Sequence, residues 1–431
     1  MIWTKDAREA RRWNVSGSGQ REPAERDRDA VLYSSAFHRL AGITQIVRAG
    51  EADYFHTRQQ HSLKVAQLGR RLAQACIKKQ PILADAWGID PEVVEAACLA
   101  HDLGHPPFGH IGEKTLNELV NAAGDADGYE GNAQTFRILT KTGVRYDETN
   151  GLDMTRATLA AVLKYPWPRE VGHPAKDKKW SAYRSEKIDF EFARKFHQHE
   201  RQSAEAALMD WADDIAYSVH DIEDFHRAGA MPWRLIFEAE NARPLVDATA
   251  EKWFGKPADA SDRLMQAWSN LGDYFAGYEA IMREPYDGCR AHRVALRTLT
   301  STLIGRYVQA TKLSEDFNAD PIIRGTEEEA EILILKQITK QYIIKSPTLL
   351  AQQHGQRRII RKLFKAIMDG AGTEFPDFLP VRLAYLWDLR EGSTARFAAD
   401  CIASMTEAQA LALFGRLSGT AAGSVLDPII K

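Results

Sequence analysis

From His61 onward the apolar residues recur at helical spacing. Val65, Leu68, Leu72 and Cys76 fall at i+4, i+7, i+11 and i+15, one stripe headed by a histidine. A second segment begins at Asp90–Pro91, a capping side chain followed by proline at the first helical position. It is predicted to run to about Gly104, because Pro106 and Pro107 cannot continue it. A third helix is predicted over Gln202–Arg227, and later ones near Glu327–Ile344, Gln356–Asp369 and Thr406–Leu417. Alternating β-branched and aromatic runs are scarce, so a large sheet is not expected. The predicted fold class is all-α, with a helical core over residues 1–284 and a helical C-terminal region over residues 285–431, divided near Pro285. Between Tyr165 and Glu186 several lysines stand among Pro166, Pro168, Gly172 and Pro174. This predicts a long surface loop, either a tolerated excursion or a lid or oligomer contact.

Composition narrows the class without naming a function. The chain has 431 residues, 44% hydrophobic and 27% charged, ordinary values for a soluble globular protein. A formal charge of -3 gives no global sign of a polyanion-binding protein. Cys76, Cys98, Cys289 and Cys401 lie far apart with no C-x-x-C pair, which argues against a disulfide framework or a zinc knuckle and fits a reducing compartment. The segment Met1–Trp13 is charged and lacks a hydrophobic stretch, and no run approaches the ~18 apolar residues of a membrane span. A cytoplasmic protein without a membrane partner is expected.

The chemistry concentrates in A-H-D-L-G-H-P-P-F-G-H-I-G-E. His101 and His105 are four apart, hence expected on one helix face, continuing the stripe Val94, Ala97 and Cys98. A single imidazole on an apolar face is ordinarily a satisfied core group. Asp102 beside it changes the balance, since a buried carboxylate without a partner costs several kcal/mol. A cation would satisfy all of these groups together. His61 heads its own stripe, three residues after Arg58. On the third helix Asp213, Tyr217 and Asp221 lie at i, i+4 and i+8 on one face. Asp214 is turned from that face by about 100° and is expected to meet solvent or a basic partner.

These residues stand in longer strings: F-H-R-L-A-G-I-T-Q, R-Q-Q-H-S-L-K-V, H-D-L-G-H-P-P-F-G-H-I-G-E, E-G-N-A-Q-T-F-R-I, T-R-A-T-L-A-A-V-L-K-Y-P and A-D-D-I-A-Y-S-V-H-D. Together they resemble the deoxyguanosine triphosphate triphosphohydrolase branch of the HD superfamily of metal phosphohydrolases. The resemblance covers about Arg26 to Asp224, with looser matches at L-K-Q-I-T-K-Q-Y-I-I and R-R-I-I-R-K-L-F. It implies an HD-domain helical core with a helical C-terminal extension.

The resemblance further implies a hydrolase that splits a deoxynucleoside triphosphate (dNTP) at the α-phosphorus, giving deoxynucleoside and tripolyphosphate. His61, His101, Asp102 and Asp213 would hold one divalent metal; two imidazoles and two carboxylates suit Mn²⁺, Mg²⁺, Fe²⁺, Co²⁺ or Ni²⁺. His110 and Glu113, three apart at the start of the next helix, would form a proton-transfer pair, acting on the leaving 5′-oxygen or on the attacking water. His105 would contact the α-phosphate and Arg58 the phosphates. Tyr217 would lie against the deoxyribose and Asp221 would accept from the 3′-hydroxyl. Arg39 and Gln45 resemble positions near the sugar and phosphates. Glu130 and Asn132 match a family string without a physical role.

Family likeness favours a symmetric homo-oligomer and leaves open a nucleotide effector. Arg357, Arg358, Arg361, Lys362 and Lys365 form a basic side opposite Ile359, Ile360, Leu363 and Phe364. A solvated face is the plain reading; a triphosphate contact, an effector site or single-stranded nucleic-acid binding are the others. Two alternatives stand beside the main reading: an HD phosphatase or phosphodiesterase, and a nucleotide- or nucleic-acid-binding regulator without catalysis.

Overall fold

The computed structural model describes residues 3–13, 15, 20–46, 55–197, 199–254, 258–278, 285–372 and 374–420. Residues 421–431 of the expected C-terminal region lie outside them. The fold is all-α; among the described residues the only sheet is a two-stranded ribbon, Lys312–Leu313 against Ile322–Ile323. The helices used below are α1 (Pro23–Leu32), α2 (Arg58–Lys79), α3 (Pro91–Ala100), α4 (Gly109–Ala122), α5 (Gly131–Arg137), α6 (Ala204–Arg227), α7 (Arg290–Ala310), α8 (Thr326–Thr339), α9 (Pro347–Gly370), α10 (Thr394–Ala403) and α11 (Glu407–Leu417).

Local chemistry sets the ends of these helices. Thr57 caps α2 in a capping box with Gln60, Asp90 caps α3 ahead of Pro91, and Ser203 caps α6. The stripe of α2 is buried as its spacing predicts, with Val65 and Leu72 fully enclosed. Helices α2, α3 and α6 cross around it. Gly69 marks the closest approach: a Cβ there would lie 2.4 Å from Cys98 Sγ on α3. A glycine inside a helix costs about 1 kcal/mol, and here close packing offsets it.

Among the described residues the apolar side chains gather in two large cores and a small cluster around Ala133, Trp180 and Tyr183. The larger joins α2, α3 and α6 to α7 and α8 through residues such as Val94, Ile215, Leu303 and Ile334. The smaller joins Phe108, Leu116 and Val120 of the region around α4 to Ile360, Leu363, Phe397, Ile402 and Leu413 of α9, α10 and α11. Each buried side chain of this size contributes about 1.5–3 kcal/mol, so both cores tie residues before 285 to residues after it.

Helix α3 stops at Ala100, short of the expected Gly104. His101–Gly104 form a turn instead of further helix. Thr135 on α5 explains the change: its hydroxyl donates to the His101 carbonyl at 3.1 Å and accepts from the Gly104 N–H at 2.9 Å. Gly104 has no alternative, since a Cβ would lie 2.0 Å from the Gly131 carbonyl oxygen. His101 and His105 are therefore placed by a turn, not by one continuous helix face. The loop predicted over Tyr165–Glu186 is present, helical only in the short turn Arg184–Glu186.

Candidate active site

The end of α3, the start of α2 and the middle of α6 deliver their polar side chains to one place. His61 Nε2, His101 Nε2 and an Asp213 carboxylate oxygen all lie within 4.8 Å of one another. Asp213 Oδ1 is 3.0 Å from His61 Nε2 and 3.5 Å from His101 Nε2. Asp102 stands at the edge of this group. Its Oδ1 is 3.6 Å from His101 Nε2, and its Oδ2 accepts from Arg58 Nη1 at 2.8 Å.

The donor chemistry fits a cation. His101 Nδ1 lies 2.6 Å from the Cys98 carbonyl and so carries the proton, which leaves a lone pair on Nε2. That buried Nε2 has no hydrogen-bond partner among the described residues, although two carboxylates face it. Lone pairs converging in a buried space call for a positive charge between them. Burial lowers the His101 pKa, but Asp102 and Asp213 outweigh it and carry it up to about 9. A divalent cation would stand where that extra proton stands.

Beside this group sits a second one, His105, His110 and Glu113. His110 Nδ1 is 2.9 Å from Glu113 Oε2, and His105 Nε2 is 3.9 Å from the same oxygen. The three differ in access: His105 and Glu113 are buried, whereas the His110 side chain is 68% exposed. A solvent-facing imidazole backed by a buried carboxylate is placed to exchange protons with a bound substrate. Burial, with Arg58 nearby, pushes His105 down to about 4, so it is neutral near pH 7. Phe108, which precedes α4, holds a left-handed backbone (φ 68°), and Gly109 follows it with φ 55°.

The architecture is shared with known proteins. Residues 58–218 match the HD domain, and residues 324–416 match the phosphohydrolase-associated domain. The chain is 36% identical to the deoxyguanosinetriphosphate triphosphohydrolase-like protein of Streptomyces coelicolor, over 92% of each chain. A protein of the same name from Corynebacterium efficiens is 36% identical over 93% of this chain and 92% of its own. The like-named protein of Shewanella loihica is 29% identical over 94% and 95%. The chain belongs to the deoxyguanosinetriphosphate triphosphohydrolase-like family of HD-domain proteins. HD domains are metal-dependent hydrolases, and the donor group described above lies within the matched segment.

Within this HD-domain protein the other expected residues fall into two sets. Tyr217 and Asp221 continue the inward face of α6 beyond Asp213. Asp221 is buried, its Oδ2 without a hydrogen-bond partner among the described residues. Burial, then Asp224 and Asp213, hold its carboxyl well above the usual range. Gln45 is half-buried, its Oε1 without a hydrogen-bond partner among the described residues. Arg58 and Arg39 spend themselves on protein. Arg58 holds Asp102, and Arg39 donates to the carbonyls of Leu103, His105 and Met405 at 2.6–3.2 Å. Arg39 thus braces the turn between Leu103 and His105. Asp214 meets the basic partner expected of it, Lys336 Nζ at 2.5 Å.

Three residues, Lys164, Lys179 and Glu407, were not anticipated. Lys164 lies 2.9 Å from Asp213 Oδ2 and 2.8 Å from Asp210. Lys179, from the proline-containing loop, lies 2.7 Å from both Glu113 and Glu130. Burial alone would raise the Glu113 carboxyl; Lys179 and His110 hold it well below its ordinary value. Glu130 now has a physical role, since it also caps α5 through the Asn132 and Ala133 N–H groups. Glu407 on α11 accepts from the N–H groups of Thr44 and Phe108 at 2.7 and 3.2 Å. Lys164 was visible within T-R-A-T-L-A-A-V-L-K-Y-P. Nothing in the spacing of Lys179 or Glu407 points to the site.

Proposed function

We propose that the protein is a metal-dependent dNTP triphosphohydrolase, cleaving dGTP or another dNTP at the α-phosphorus to deoxynucleoside and tripolyphosphate. The observation that carries the reading is a largely buried set of lone-pair donors, His61, His101, Asp102 and Asp213, linked through His105 to the His110–Glu113 pair, whose imidazole faces solvent. The relatives' printed name supplies the substrate class.

A divalent cation held by those four donors, of the Mn²⁺, Mg²⁺, Fe²⁺, Co²⁺ or Ni²⁺ type, would polarise a phosphate oxygen and acidify water. The protein's own residues do the rest. Glu113 orients His110, and His110 carries the proton to the leaving 5′-oxygen or from the attacking water. Neutral His105 donates a hydrogen bond to the α-phosphate. Lys164 and Lys179, each held by two carboxylates beside the site, would add positive charge near the phosphate chain alongside Arg58. Tyr217 packs on the deoxyribose, where its bulk excludes a 2′-hydroxyl, and Asp221 meets the 3′-hydroxyl. Gln45 lies near the sugar. Assembly as a homo-oligomer belongs to the same proposal; a nucleotide effector is left open by it, and the basic face of α9 is read first as a solvated face, with a triphosphate contact, an effector site or single-stranded nucleic acid as its alternatives. A cytoplasmic location goes with it.

The test is product identity. Metal-loaded protein is incubated with each dNTP and the products are separated by chromatography. Deoxynucleoside plus tripolyphosphate is the expected result; pyrophosphate or orthophosphate as first product overturns the assignment.

A further inference from the structure

A cavity of about 600 Å³ lies at the N-terminal end of α6 and shares no residue with the active site. Its size falls within the roughly 300–1,000 Å³ range of small-molecule sites. Four stretches of chain far apart in sequence meet there. They are the segment carrying Trp3 and Arg8, the end of the helix Pro81–Trp87, the residues leading into α6, and the turn of the two-stranded ribbon at Phe317. We propose that this cavity binds a planar aromatic anion, a ring bearing a phosphate or carboxylate group, and that its occupancy is felt at the metal site.

The lining supplies partners for a ring. Trp3 and Phe196 form one aromatic pair, with centroids 5.6 Å apart, and Trp87 and Phe317 form another at 4.6 Å. Trp87 is fixed in turn, since its Nε1 donates to the Ser314 carbonyl at 2.8 Å. Rings held by their own contacts lose little freedom when a further ring packs against them. Phe317 stays half exposed, a large apolar side chain left at the mouth of a cavity.

The same lining supplies positive charge. Arg8 is held firmly: its Nη2 donates to Glu205 Oε1 at 2.5 Å, and its guanidinium carbon lies 5.4 Å from the Trp3 ring centre. Gly88 leaves room for the other amino group, because a Cβ there would lie 2.9 Å from Arg8 Nη1. Among the described residues neither Arg8 Nη1 nor the Arg201 guanidinium has a hydrogen-bond or ion-pair partner. Glu205 is the only acid among the described lining residues, and burial pushes its carboxyl up to about 7 against the pull of Arg8. Two guanidinium groups against one half-titrated carboxyl leave the lining net positive. The positive end of the 24-residue α6, capped by Ser203, adds to the same sign.

Gln202 connects this lining to the active site. Its Nε2 donates to Asp210 Oδ2 at 2.9 Å and to the Lys164 carbonyl at 3.0 Å. Lys164 Nζ in turn bridges Asp210 and Asp213. A ligand that displaces Gln202 displaces the cation that orients the Asp213 carboxylate. Metal and ligand then change one another's affinity by the same factor. The coupling rests on the metal site proposed above; the binding does not.

The experiment is calorimetric titration of the full chain with adenosine 5′-monophosphate and with 1-naphthoate. Adenosine alone and inorganic phosphate alone serve as half-ligands. At least one of the two anions is expected to bind at one site per chain, and each half-ligand about tenfold or more weakly. Binding of the nucleotide alone assigns the phosphate as the anionic group; binding of naphthoate alone assigns the carboxylate. Arg201→Ala and Phe317→Ala remove side chains reached by solvent and should keep the melting temperature while weakening the ligand about tenfold. Asp213→Ala should bind it as wild type does. Saturating ligand should shift the Mn²⁺ affinity of wild type about threefold or more, and Gln202→Ala should lose that shift. The site is overturned if neither anion binds, if a half-ligand binds as tightly, or if Asp213→Ala weakens binding where Arg201→Ala and Phe317→Ala do not. An unshifted Mn²⁺ affinity with ligand bound overturns the coupling.

Discussion

Helix α5 separates two buried groups of charged side chains that solve the same problem differently. On one face, Thr135 supports the turn that carries His101 and Asp102. On the other, Gln134 and Arg137 reach Asp400 of α10. Arg137 is fully buried, and its nitrogens are all engaged. Nε and Nη2 hold Asp400, Nη1 holds Glu186 and Ser185, and Nη2 also reaches the Leu389 carbonyl, at 2.7–3.3 Å. Only Glu186 Oε2 is left over in that group among the described residues. Among the described residues the active-site group leaves His101 Nε2, His105 Nε2, Arg58 Nε and Asp221 Oδ2 without a hydrogen-bond partner. Burial of charge is common to both. Satisfaction is not, and an unsatisfied buried group is one built to receive something else.

The largest effect that separates the two groups falls on activity. Asp213→Ala should abolish metal binding at the His61–His101 site and lower turnover by on the order of 10³-fold, while the metal-free protein keeps its stability within about 1 kcal/mol. Asp214→Ala, one residue away but paired with Lys336, should keep its metal. Equal metal loss in both variants would break the contrast between the inward and outward faces of α6. Next in size is Arg137→Met. It strands the Asp400 and Glu186 carboxylates in the core and should cost about 3–5 kcal/mol in denaturant unfolding. An Arg137→Met protein as stable as wild type would mean that the closed network is not structural.

Much of this contrast could be read from the sequence. The stripe behind His61 and the proline after Asp90 fixed the helices that carry His61 and His101, because spacing and capping are local signals. The inward set on α6 followed from the same periodicity, and so did the outward turn of Asp214. What escaped was set by contacts distant in sequence. Helix α3 ends early because of Thr135, a residue 34 positions from His101. Lys179 reaches Glu113 across 66 positions, and Glu407 reaches Phe108 across 299. No window of helical length contains both partners. Arg39 is a further case of distance: its guanidinium donates to the carbonyls of Leu103, His105 and Met405, 64 to 366 positions away.

Glu407 offers a smaller test, because it belongs to a closed network that supports the open one. It anchors Thr44 through both N–H and hydroxyl and Phe108 through its N–H, just before the left-handed step into α4. Glu407→Ala leaves two buried N–H groups without their acceptor and should cost about 1–3 kcal/mol. Turnover should fall by roughly tenfold, more than the KM changes, since His110 loses its backbone support and not its contact with substrate. An Ala variant destabilised to this extent but with unaltered turnover would confine Glu407 to the fold.

The smallest effect is a shift in how stability depends on pH, and it comes from a pair lying between the two extremes. Glu205 on α6 is buried and lies 2.5 Å from Arg8 Nη2, with the Asp90 N–H at 3.1 Å. Burial dominates over these partners and pushes its carboxyl up to about 7. The ordinary value in an unfolded chain is about 4.3, so folding raises the pKa and the native state holds the extra proton. Its contribution is therefore fully present below about pH 4.3 and is lost as pH rises through about 7. Glu205→Gln removes that titration while keeping an acceptor for Arg8. The wild type should lose on the order of 1–3 kcal/mol more than Glu205→Gln between those two pH values, read as the difference between their unfolding free energies at each pH. Parallel curves for the two proteins would mean that Arg8 satisfies the carboxylate as fully as Arg137 satisfies Asp400, and the pair would then belong with the closed network.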